Sequence, residues 1–383
     1  MRRKFGISTR IAAGVLAVAV LGSLHLTAAD AVTSPAARAK ASYEALNKYF
    51  DAGQNLLLEE YPNTHENPYA YVWPYSQAAI AAENLAGIPG AGITASKEAD
   101  RRIAAYEPYW NAGTTPKGYD SYVRPPLGQG GDKFYDDNEW IGLHLIQHYK
   151  RTGDRAALAR AKEIFDLVVF GWDTDPTHPC AGGVYWTQAP WSQDRNTVSN
   201  GPGAELGAHL YLLTKNRSYL TWAKRMYEWT QDCMLAPNGL YWDHIDLAGT
   251  IEKTQWSYNQ GVMLGAGVLL YKATGDRQYL NDAKSVANAS LAFYGEDDRL
   301  WKQPTRFNSI WFKNLLILDS VAPDPRYKQT MQAYADRAWN EVRDPATGLY
   351  HFADGPVQLL EQAGITQIEA LLAWPRSKYG LLA

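Results

Sequence analysis

Hydrophobic positions divide the chain into two kinds of helical segment that alternate along it. Segments of the first kind are apolar on nearly every side and begin at Tyr75, Asp136, Ser199, Tyr258, Phe307 and Gly364. Segments of the second kind, such as DRAALARAKEIFDLV (154–168) and QTMQAYADRAWNEV (329–342), carry a charged face. A helix that is apolar all round is buried on both sides, whereas a helix with a charged face lies at a surface. The pattern predicts six buried helices and six half-exposed partners.

Internal repetition supports this alternation. The segments 148–168, 210–230 and 270–290 each read as a helix end, a turn of the Thr-Gly-Asp-Arg kind, and an amphipathic helix with Ala-Lys at its centre. Their spacing is about 60 residues, which suits a helical hairpin with its loop rather than a short solenoid repeat. Six such hairpins account for the chain. They predict an all-α fold, an (α/α)6 toroid with an inner and an outer ring of helices.

Turn-rich loops with a short aromatic strand signature precede the buried helices. They contain AGGVYWTQ from Ala181, PNGLYWDH from Pro237, DDRLWKQ from Asp297 and ATGLYHF from Ala346. Because each loop comes before an inner helix, we expect all of them on one face of the toroid, around a central funnel. Cys180 and Cys233 stand just before two successive loops, and we expect them to form a disulfide.

The first 31 residues differ from the rest of the chain. A basic start, MRRKFGISTR, is followed by an apolar run and small residues, and Ala29, Asp30 and Ala31 fit a cleavage site. We expect a secretory signal peptide at 1–31, a flexible segment at 32–40 and a single (α/α)6 domain at 41–383. The alternative is that the apolar run remains as an anchor. No other segment approaches the roughly 18 apolar residues of a membrane span.

Composition narrows the choice of partners. The chain has 37 basic and 40 acidic residues, a formal net charge of −3. Loss of residues 1–31 would remove four basic residues and one acidic residue, which leaves about −6. Nucleic acid is therefore not an expected partner. Aromatic residues make up 13% of the chain, with 14 Trp and 25 Tyr, and many stand in loops, where such rings suit stacking on sugars.

Asp136 and Asp137 begin the second apolar helix, at the expected mouth of the funnel. Acids in a first turn often only cap a helix, whose dipole stabilises each by about 0.3–1 kcal/mol. Cleavage of a glycosidic bond, however, needs one protonated and one ionised carboxyl group, and adjacent acids raise one another's pKa. Both interpretations stay open at this point. The sequence contains no Cys/His cluster with zinc spacing and no EF-hand glycine, so we expect neither metal nor cofactor.

Five motifs occur in a fixed order: FYDDNEW (134–140), GGVYW (182–186), RNTVSN (195–200), GLYWD (239–243) and SYNQG (257–261). With them the chain resembles glycoside hydrolase family 76, the endo-α-1,6-mannanases, over nearly the whole length after the signal. The resemblance implies an (α/α)6 fold and metal-free cleavage of α-1,6-mannan with retention. It also implies a nucleophile at Asp136, a general acid/base at Asp137, and substrate-binding residues at Asp243, Asn200, Asn259 and Gln260.

The chain departs from the family pattern at two motifs. It has FNSIW (307–311) where family members often have FKGIF, so that Asn308 replaces a lysine and the contacts on that side of the cleft are in question. GGVYW stands in place of GGIWW, and Trp186 keeps an aromatic platform. We expect Trp186 to stack on the sugar chain together with Tyr135 and Trp242. Asn138 is expected to lie with them in the substrate site.

Some of these residues also have a purely structural interpretation. Asn259 and Gln260 are suited to cap a helix and to satisfy buried backbone groups, and the same amides are suited to bind sugar hydroxyls. Asp243 is suited to pair with His244 or with a nearby cation.

Two histidine pairs have no expected role in chemistry. His65 with Glu66 reads as an exposed loop pair. His144 and His148, four residues apart on an inner helix, are expected to serve the core or a helix end rather than a metal.

We predict a monomeric, secreted glycoside hydrolase that binds an α-1,6-linked mannan backbone. Two alternatives remain: another (α/α)6 sugar enzyme, such as an unsaturated glucuronyl hydrolase or an epimerase, and a non-catalytic glycan-binding protein of the same fold. The adjacent acids argue against both. The sequence leaves open whether cleavage is endo or exo, whether branches are tolerated, and whether the polymer is a fungal mannan or an actinobacterial lipoglycan. It also leaves open whether the protein stays at the cell surface.

Overall fold

The computed structural model describes residues 34–383, and the predicted signal peptide at 1–31 lies outside them. The first helix, α1, runs from Pro35 to Tyr49, directly after Ser34, whose hydroxyl accepts the N–H of Ala37 at 3.2 Å. The prediction of a flexible segment over 32–40 is therefore wrong from residue 35 onward. A serine cap, a proline in the first turn and the full burial of Ala39 fix the helix at this point.

Within residues 34–383, six helices form the inner ring. Five of them begin within three residues of the predicted start, and the last begins at Leu359, five residues ahead of the predicted Gly364. Their side chains are buried over most of their length. They are α2 (Val72–Ala86), α4 (Tyr135–Thr152), α6 (Thr197–Thr214), α8 (Ser257–Thr274), α11 (Thr305–Asp319) and α13 (Leu359–Leu372).

In the same described range, six further helices form the outer ring, and each buries only one face. In the helix that runs from Arg155 to Phe170, the residues Ala157, Ala161 and Ile164 are buried, at the three- and four-residue spacing of a single face. The outer helices are α1, α3 (Gly92–Ala104), α5 (Arg155–Phe170), α7 (Arg217–Met234), α9 (Arg277–Tyr294) and α12 (Pro325–Glu341). The inner and outer helices alternate along the chain, as the hydrophobic pattern predicts.

The inner helices close into a ring. Each packs against the next in chain order, and α13 returns to pack against α2. The outer helix α1 also packs against α13, where Ser42 Oγ donates to Glu369 Oε2 at 2.6 Å. The two ends of the domain therefore complete one hairpin together. The predicted all-α (α/α)6 toroid is confirmed.

The turns from inner to outer helices explain the repeated Thr-Gly-Asp-Arg pattern. Gly153 and Gly275 end α4 and α8 in the left-handed conformation, with φ of 80° and 78°, which glycine adopts without strain. The next residue begins the following helix, because the carboxylate of Asp154 or Asp276 accepts a backbone N–H two residues further on. Lys215 occupies the glycine position between α6 and α7, with φ of 61°. In each of these two turns, the glycine ends one helix and the aspartate that follows it caps the next.

Short antiparallel strands order the loops at the other end of the toroid. The strands are β1 (Glu60–Tyr61), β2 (Trp110–Asn111), β3 (Gly118–Tyr119), β4 (Asp194–Asn196), β5 (His244–Asp246), β6 (Ile251–Glu252) and β7 (Val357–Gln358). β1 pairs with β7, β2 with β3, and β4, β5 and β6 form a sheet in that order. The strand predicted at DDRLWKQ is wrong, because this segment winds into the short helix α10 (Arg299–Lys302), where Lys302 N donates to Asp298 O at 3.1 Å.

The two histidines of α4 lie toward the carboxyl end of that helix. His148 Nδ1 is 3.0 Å from Glu83 Oε2, and Arg151 Nε donates to Glu83 Oε1 at 2.6 Å. His144 Nδ1 is 2.8 Å from the hydroxyl of Tyr106. Burial opposes the ionisation of Glu83, but its contacts with the two histidines and Arg151 outweigh burial and lower the pKa of the carboxyl. Both histidines therefore have the packing role that we expected.

His65 and Glu66 are exposed in the loop after β1, as expected, and His65 Nε2 lies 3.4 Å from Glu60 Oε1. Among residues 34–383, no group of three or more His, Cys, Asp or Glu side chains is placed to hold a metal ion. No helix in the same range is both long enough and apolar enough to cross a membrane.

Candidate active site

A cavity of about 540 Å³ opens where the inner helices begin, and its wall includes a first-turn residue from each of the six. This volume falls within the range of small-molecule sites. Its polar lining residues are Glu59, Ser121, Asp136, Asp137, Asp194, Asn196, Asp243 and His244. Its aromatic lining residues are Tyr71, Trp73, Phe134, Trp140, Trp186, Tyr258 and Phe307. Carboxylates and aromatic rings on one concave surface suit a sugar, which offers hydroxyls and an apolar face.

Asp136 and Asp137 are the second and third residues of α4, and Phe134 occupies the cap position without a side-chain cap. Neither acid is the N-cap residue, but both lie in the first turn, where the helix dipole favours negative charge. Asp136 Oδ2 accepts a hydrogen bond of 3.3 Å from Trp186 Nε1. Its Oδ1 is buried and has no hydrogen-bond partner within the part of the chain that the structure describes. Both acids line the cavity.

The two carboxyl groups have unequal surroundings. Burial is the largest effect on Asp136 and raises the pKa of its carboxyl to about 7, although hydrogen bonds from backbone N–H groups of the helix start and from Trp186 partly oppose the rise. Burial also raises the pKa of Asp137, and there the charges of Asp136 and Glu59 add to the effect. We therefore expect Asp136 to ionise first, while Asp137 keeps its proton to higher pH.

Asp243 lies on another part of the cavity wall and is held by two neighbours. His244 Nδ1 is 3.0 Å from Asp243 Oδ2, and Asn259 Nδ2 donates to Oδ1 at 3.1 Å. The hydrogen bond with Asp243 raises the pKa of His244, against the opposing effect of burial. Asp243 therefore pairs with His244, as one interpretation predicted, and also lines the cavity. Asn259 is fully buried and orients Asp243 from behind the wall.

The three aromatic residues that were expected to stack on sugar have different positions. Trp186 lines the cavity. Tyr135 is 3% exposed, and a Cβ on Gly171 would come within 2.4 Å of its ring, so the tyrosine fills the core below the helix start. Trp242 lies outside the lining, with Lys253 Nζ 5.5 Å from the centre of its ring. The structure thus places Trp186 in the cavity wall and buries Tyr135, which contradicts stacking by Tyr135, whereas stacking by Trp242 stays a prediction.

Asn138, Asn200 and Gln260 share a structural role that we name the amide clip. Each is the fourth residue of its inner helix and is fully buried. Each side-chain oxygen accepts the N–H of one loop residue, and each amide nitrogen donates to the carbonyl of that same residue, namely Tyr119, Val184 and Tyr241 respectively. Each nitrogen also donates to the carbonyl four residues before it in the chain. The amides are thus satisfied by backbone, and the predicted substrate contacts at these positions are wrong.

Asn308 occupies the equivalent fourth position of α11. Its Nδ2 donates to Leu300 O at 3.0 Å, and its Oδ1 accepts from Ser257 Oγ at 2.9 Å. Gln362, the fourth residue of α13, accepts the N–H of Tyr350 at 3.1 Å. Asn308 is fully buried, so this departure from the family pattern does not change the cavity wall.

Several residues of the cavity were not predicted to belong to it. Trp73, Tyr258 and Phe307 lie in the first turns of inner helices, and that position was a usable signal, since those turns were expected to face the funnel. Glu59 comes from the loop before β1, where its Oε2 accepts the N–H of Tyr71 at 2.9 Å. No local pattern marks that carboxylate.

The structure joins Cys180 and Cys233 in a disulfide with a Cα–Cα distance of 6.1 Å. Cys233 lies in the last turn of α7, and Cys180 directly precedes the loop that carries Trp186. Trp229 Nε1 of α7 also donates to Cys180 O at 2.9 Å. The disulfide therefore tethers the loop of the cavity to the outer ring.

Comparison with known protein families places the chain in one of them. The model of Glycosyl hydrolase family 76 matches residues 34–371. The chain belongs to glycosyl hydrolase family 76. The resemblance inferred from the five motifs is thus confirmed.

Curated relatives of this family 76 chain include two yeast proteins. A mannan endo-1,6-alpha-mannosidase of Candida glabrata is 32% identical over 184 residues, which are 44% of this chain and 41% of that protein. A Saccharomyces cerevisiae protein of the same description is 30% identical over 184 residues, 44% of this chain and 40% of the relative. The chain thus matches less than half the length of these relatives.

Solved structures with the same fold include three bacterial proteins. The family 76 mannosidase Bt3792 of Bacteroides thetaiotaomicron has a TM-score of 0.79 at 23% identity and covers 88% of this chain and 98% of its own. A family 76 glycoside hydrolase from a bovine strain of that species has a TM-score of 0.78 at 26% identity, with 89% and 78% coverage. The α-1,6-mannanase GH76A of Salegentibacter, as an inactive variant with α-1,6-mannotriose, has a TM-score of 0.72 at 21% identity, with 89% and 100% coverage. The family 76 toroid therefore extends over the described chain.

Proposed function

We propose that this family 76 protein hydrolyses α-1,6-mannosidic bonds within mannan-type polysaccharides, with retention of configuration. The observation that carries the proposal is the pair Asp136 and Asp137 on one cavity wall, with surroundings that raise the pKa of Asp137 further than that of Asp136. A retaining glycosidase needs a carboxylate to attack the sugar and a carboxylic acid to protonate the leaving oxygen.

Asp136 is the nucleophile in this proposal. Its carboxylate attacks the anomeric carbon, and the bond from that carbon to the glycosidic oxygen breaks. The N–H groups of the helix start and Trp186 Nε1 favour the negative charge that attack requires. Attack through Oδ1 would break no hydrogen bond, since this oxygen has no partner within residues 34–383.

Asp137 is the general acid and base. It gives its proton to the departing oxygen, so that one part of the polymer leaves as an alcohol. The resulting carboxylate then takes a proton from water, whose oxygen attacks the anomeric carbon and releases Asp136. The raised pKa of Asp137 supplies a proton near neutral pH, which an ordinary aspartic acid would not retain.

Asp243 and the aromatic rings bind the substrate. The Asp243 carboxylate, oriented by His244 and Asn259, accepts hydrogen bonds from sugar hydroxyls. Trp186, Tyr258 and Phe307 offer ring faces to the apolar side of the sugars.

The relatives support the choice of substrate. Those in the two yeasts are described as mannan endo-1,6-alpha-mannosidases. Two Salegentibacter GH76A structures, with α-1,6-mannotriose and α-1,6-mannotetrose, are inactive variants in which two consecutive aspartates are replaced. Action outside the cell is part of our proposal, and its support is the signal-like sequence at residues 1–31.

The test uses unbranched α-1,6-mannan with the unmodified protein, Asp136→Ala and Asp137→Ala. We expect internal cleavage by the unmodified protein, seen as intermediate-sized products by mass spectrometry, with the α-anomer formed first by NMR. Both variants should lose about 10³-fold or more of the activity on mannan. With an aryl mannoside, whose leaving group needs no proton, only Asp137→Ala should regain its first step. Full activity in both variants would refute the acid pair, and the β-anomer as first product would refute the covalent intermediate.

A further inference from the structure

Trp191 lies outside the cavity but continues its aromatic wall. Its ring centroid is 6.2 Å from that of Phe134 and 6.2 Å from that of Trp186, and both of these rings line the cavity. Phe134 and Trp186 contact each other with centroids 4.9 Å apart. The rim cluster, as we name Phe134, Trp186 and Trp191, therefore runs without a break from the hydrogen-bond donor of Asp136 to the solvent.

The exposure of Trp191 is not explained by packing. It is 54% exposed, and within residues 34–383 it is the only tryptophan with a largely exposed side chain. An indole left in water forgoes the favourable free energy of burying its apolar surface. A large exposed ring beside a cleft is the expected feature of a surface that a ligand covers.

The loop that carries Trp191 is fixed on both sides by elements of the site. Gln188 N donates to Lys133 O at 2.9 Å, just before α4, and Leu247 N donates to Gln193 O at 2.9 Å, just after β5. Ser192 N donates to Ala189 O at 3.0 Å and closes a turn around the tryptophan. The ring is thus presented by ordered backbone, so a ligand would pay little entropy to order it.

We propose that Trp191 is a sugar platform beyond the cavity, which stacks on a mannose unit of the same polysaccharide chain and so favours long chains over short ones. The class of sugar rests on the proposed function. A pyranose ring presents an apolar C–H face that suits the face of an indole. A substrate short enough to fit inside the cavity does not reach Trp191, whereas a longer chain that leaves over the rim cluster does.

The test compares an α-1,6-mannotriose with a hexaose in Trp191→Ala, Trp191→Phe and unmodified protein. We expect Trp191→Ala to lower kcat/KM for the hexaose by about tenfold through KM, and to change that for the triose by less than about twofold. Trp191→Phe should keep most of the preference, because a ring face remains. The matched control is Phe170→Ala, which removes a 61% exposed ring at the end of α5, outside the cavity lining. Phe170→Ala should change kcat/KM neither for the hexaose nor for the triose.

A binding experiment separates this inference from the proposed function. Calorimetry on the double variant Asp136→Asn, Asp137→Asn measures the affinity for the triose and for the hexaose, with and without Trp191→Ala. Because it measures binding, the result does not depend on whether the unmodified protein cleaves the bond. If Trp191→Ala lowers the affinity for the hexaose and Trp191→Phe restores it, the platform is supported. This holds even if the unmodified protein does not hydrolyse mannan and the proposed function fails. An equal effect on both lengths, no effect on either, or an equal effect of Phe170→Ala overturns the inference, even where hydrolysis is normal.

Discussion

Trp186 Nε1 donates a hydrogen bond of 3.3 Å to Asp136 Oδ2, across 50 positions of the chain. Trp186 belongs to the loop between α5 and α6, whereas Asp136 belongs to the first turn of α4. A backbone hydrogen bond joins the same two segments, since Tyr135 N donates to Trp186 O at 2.9 Å. The loop and the helix start are therefore one unit, and the proposed nucleophile is oriented by an indole.

Replacement of Trp186 by phenylalanine should shift the pH dependence of hydrolysis. The indole N–H favours the ionised form of Asp136, so its loss should raise the pKa of that carboxyl further. The acidic limb of kcat/KM should then move to higher pH, with activity at pH 5 reduced about tenfold. The measurement is a pH profile on an α-1,6-mannan oligosaccharide. Trp339→Phe, on the outer helix α12, is the control, and an unmoved acidic limb in Trp186→Phe would contradict the prediction.

Replacement of Asp137 by asparagine should stabilise the protein at the cost of activity. Burial, then the charges of Asp136 and Glu59, raises the pKa of Asp137 in the folded state. Such a group makes its full contribution to the free energy of unfolding at a pH below its pKa in the unfolded state. That contribution is lost as the pH rises through its pKa in the folded state. Asparagine does not ionise, so the free energy of unfolding does not fall with pH through this position. We expect the free energy of unfolding to rise by about 1–2 kcal/mol at pH 8 and to be unchanged at pH 3.

Urea unfolding at both pH values measures this effect. The exposed Asp232→Asn should show no such gain. Equal gains at pH 3 and pH 8 would show that the asparagine acts through packing rather than through charge.

Replacement of Asn200 by alanine tests the amide clip. The N–H and C=O of Val184 would lose their partners in the core, so we expect a loss of about 2–4 kcal/mol of unfolding free energy. The KM for mannan oligosaccharides should stay close to its original value. Asn238→Ala, which removes an exposed amide, should cost less than about 0.5 kcal/mol. Intact stability together with a raised KM would restore Asn200 as a sugar contact.

Replacement of both cysteines by serine should destabilise the domain. The disulfide closes a loop with a sequence separation of 53 residues, for which chain entropy gives about 4 kcal/mol. The same tether holds the loop of Trp186, so activity should fall at lower temperature in the double variant than in the oxidised protein. Urea unfolding with and without reductant measures the difference. If reductant did not affect the unmodified protein, the disulfide would not contribute to its stability.

Local patterns in the sequence determined the architecture of this protein. Whether a helix is apolar all round or has a charged face depends on its own residues, so the two rings could be predicted before any contact was known. The Gly153–Asp154 turn was likewise readable, because ending one helix and capping the next are local tasks. The position of Asp136 and Asp137 at the funnel followed from the order of these elements.

Tertiary structure alone decided what each polar or aromatic side chain does. Asn200 and Gln260 were predicted to bind sugar, but their partners are peptide groups of loops 16 and 19 positions away. Tyr135 stands beside two acids that face the cavity and is nevertheless buried, because α5 ends beneath it at Gly171. An amide or a ring has the same chemistry in either role. The structural and the sugar-binding role differ only in the partner that the fold brings within contact of the side chain. That partner is distant in the chain, so the local sequence does not indicate it.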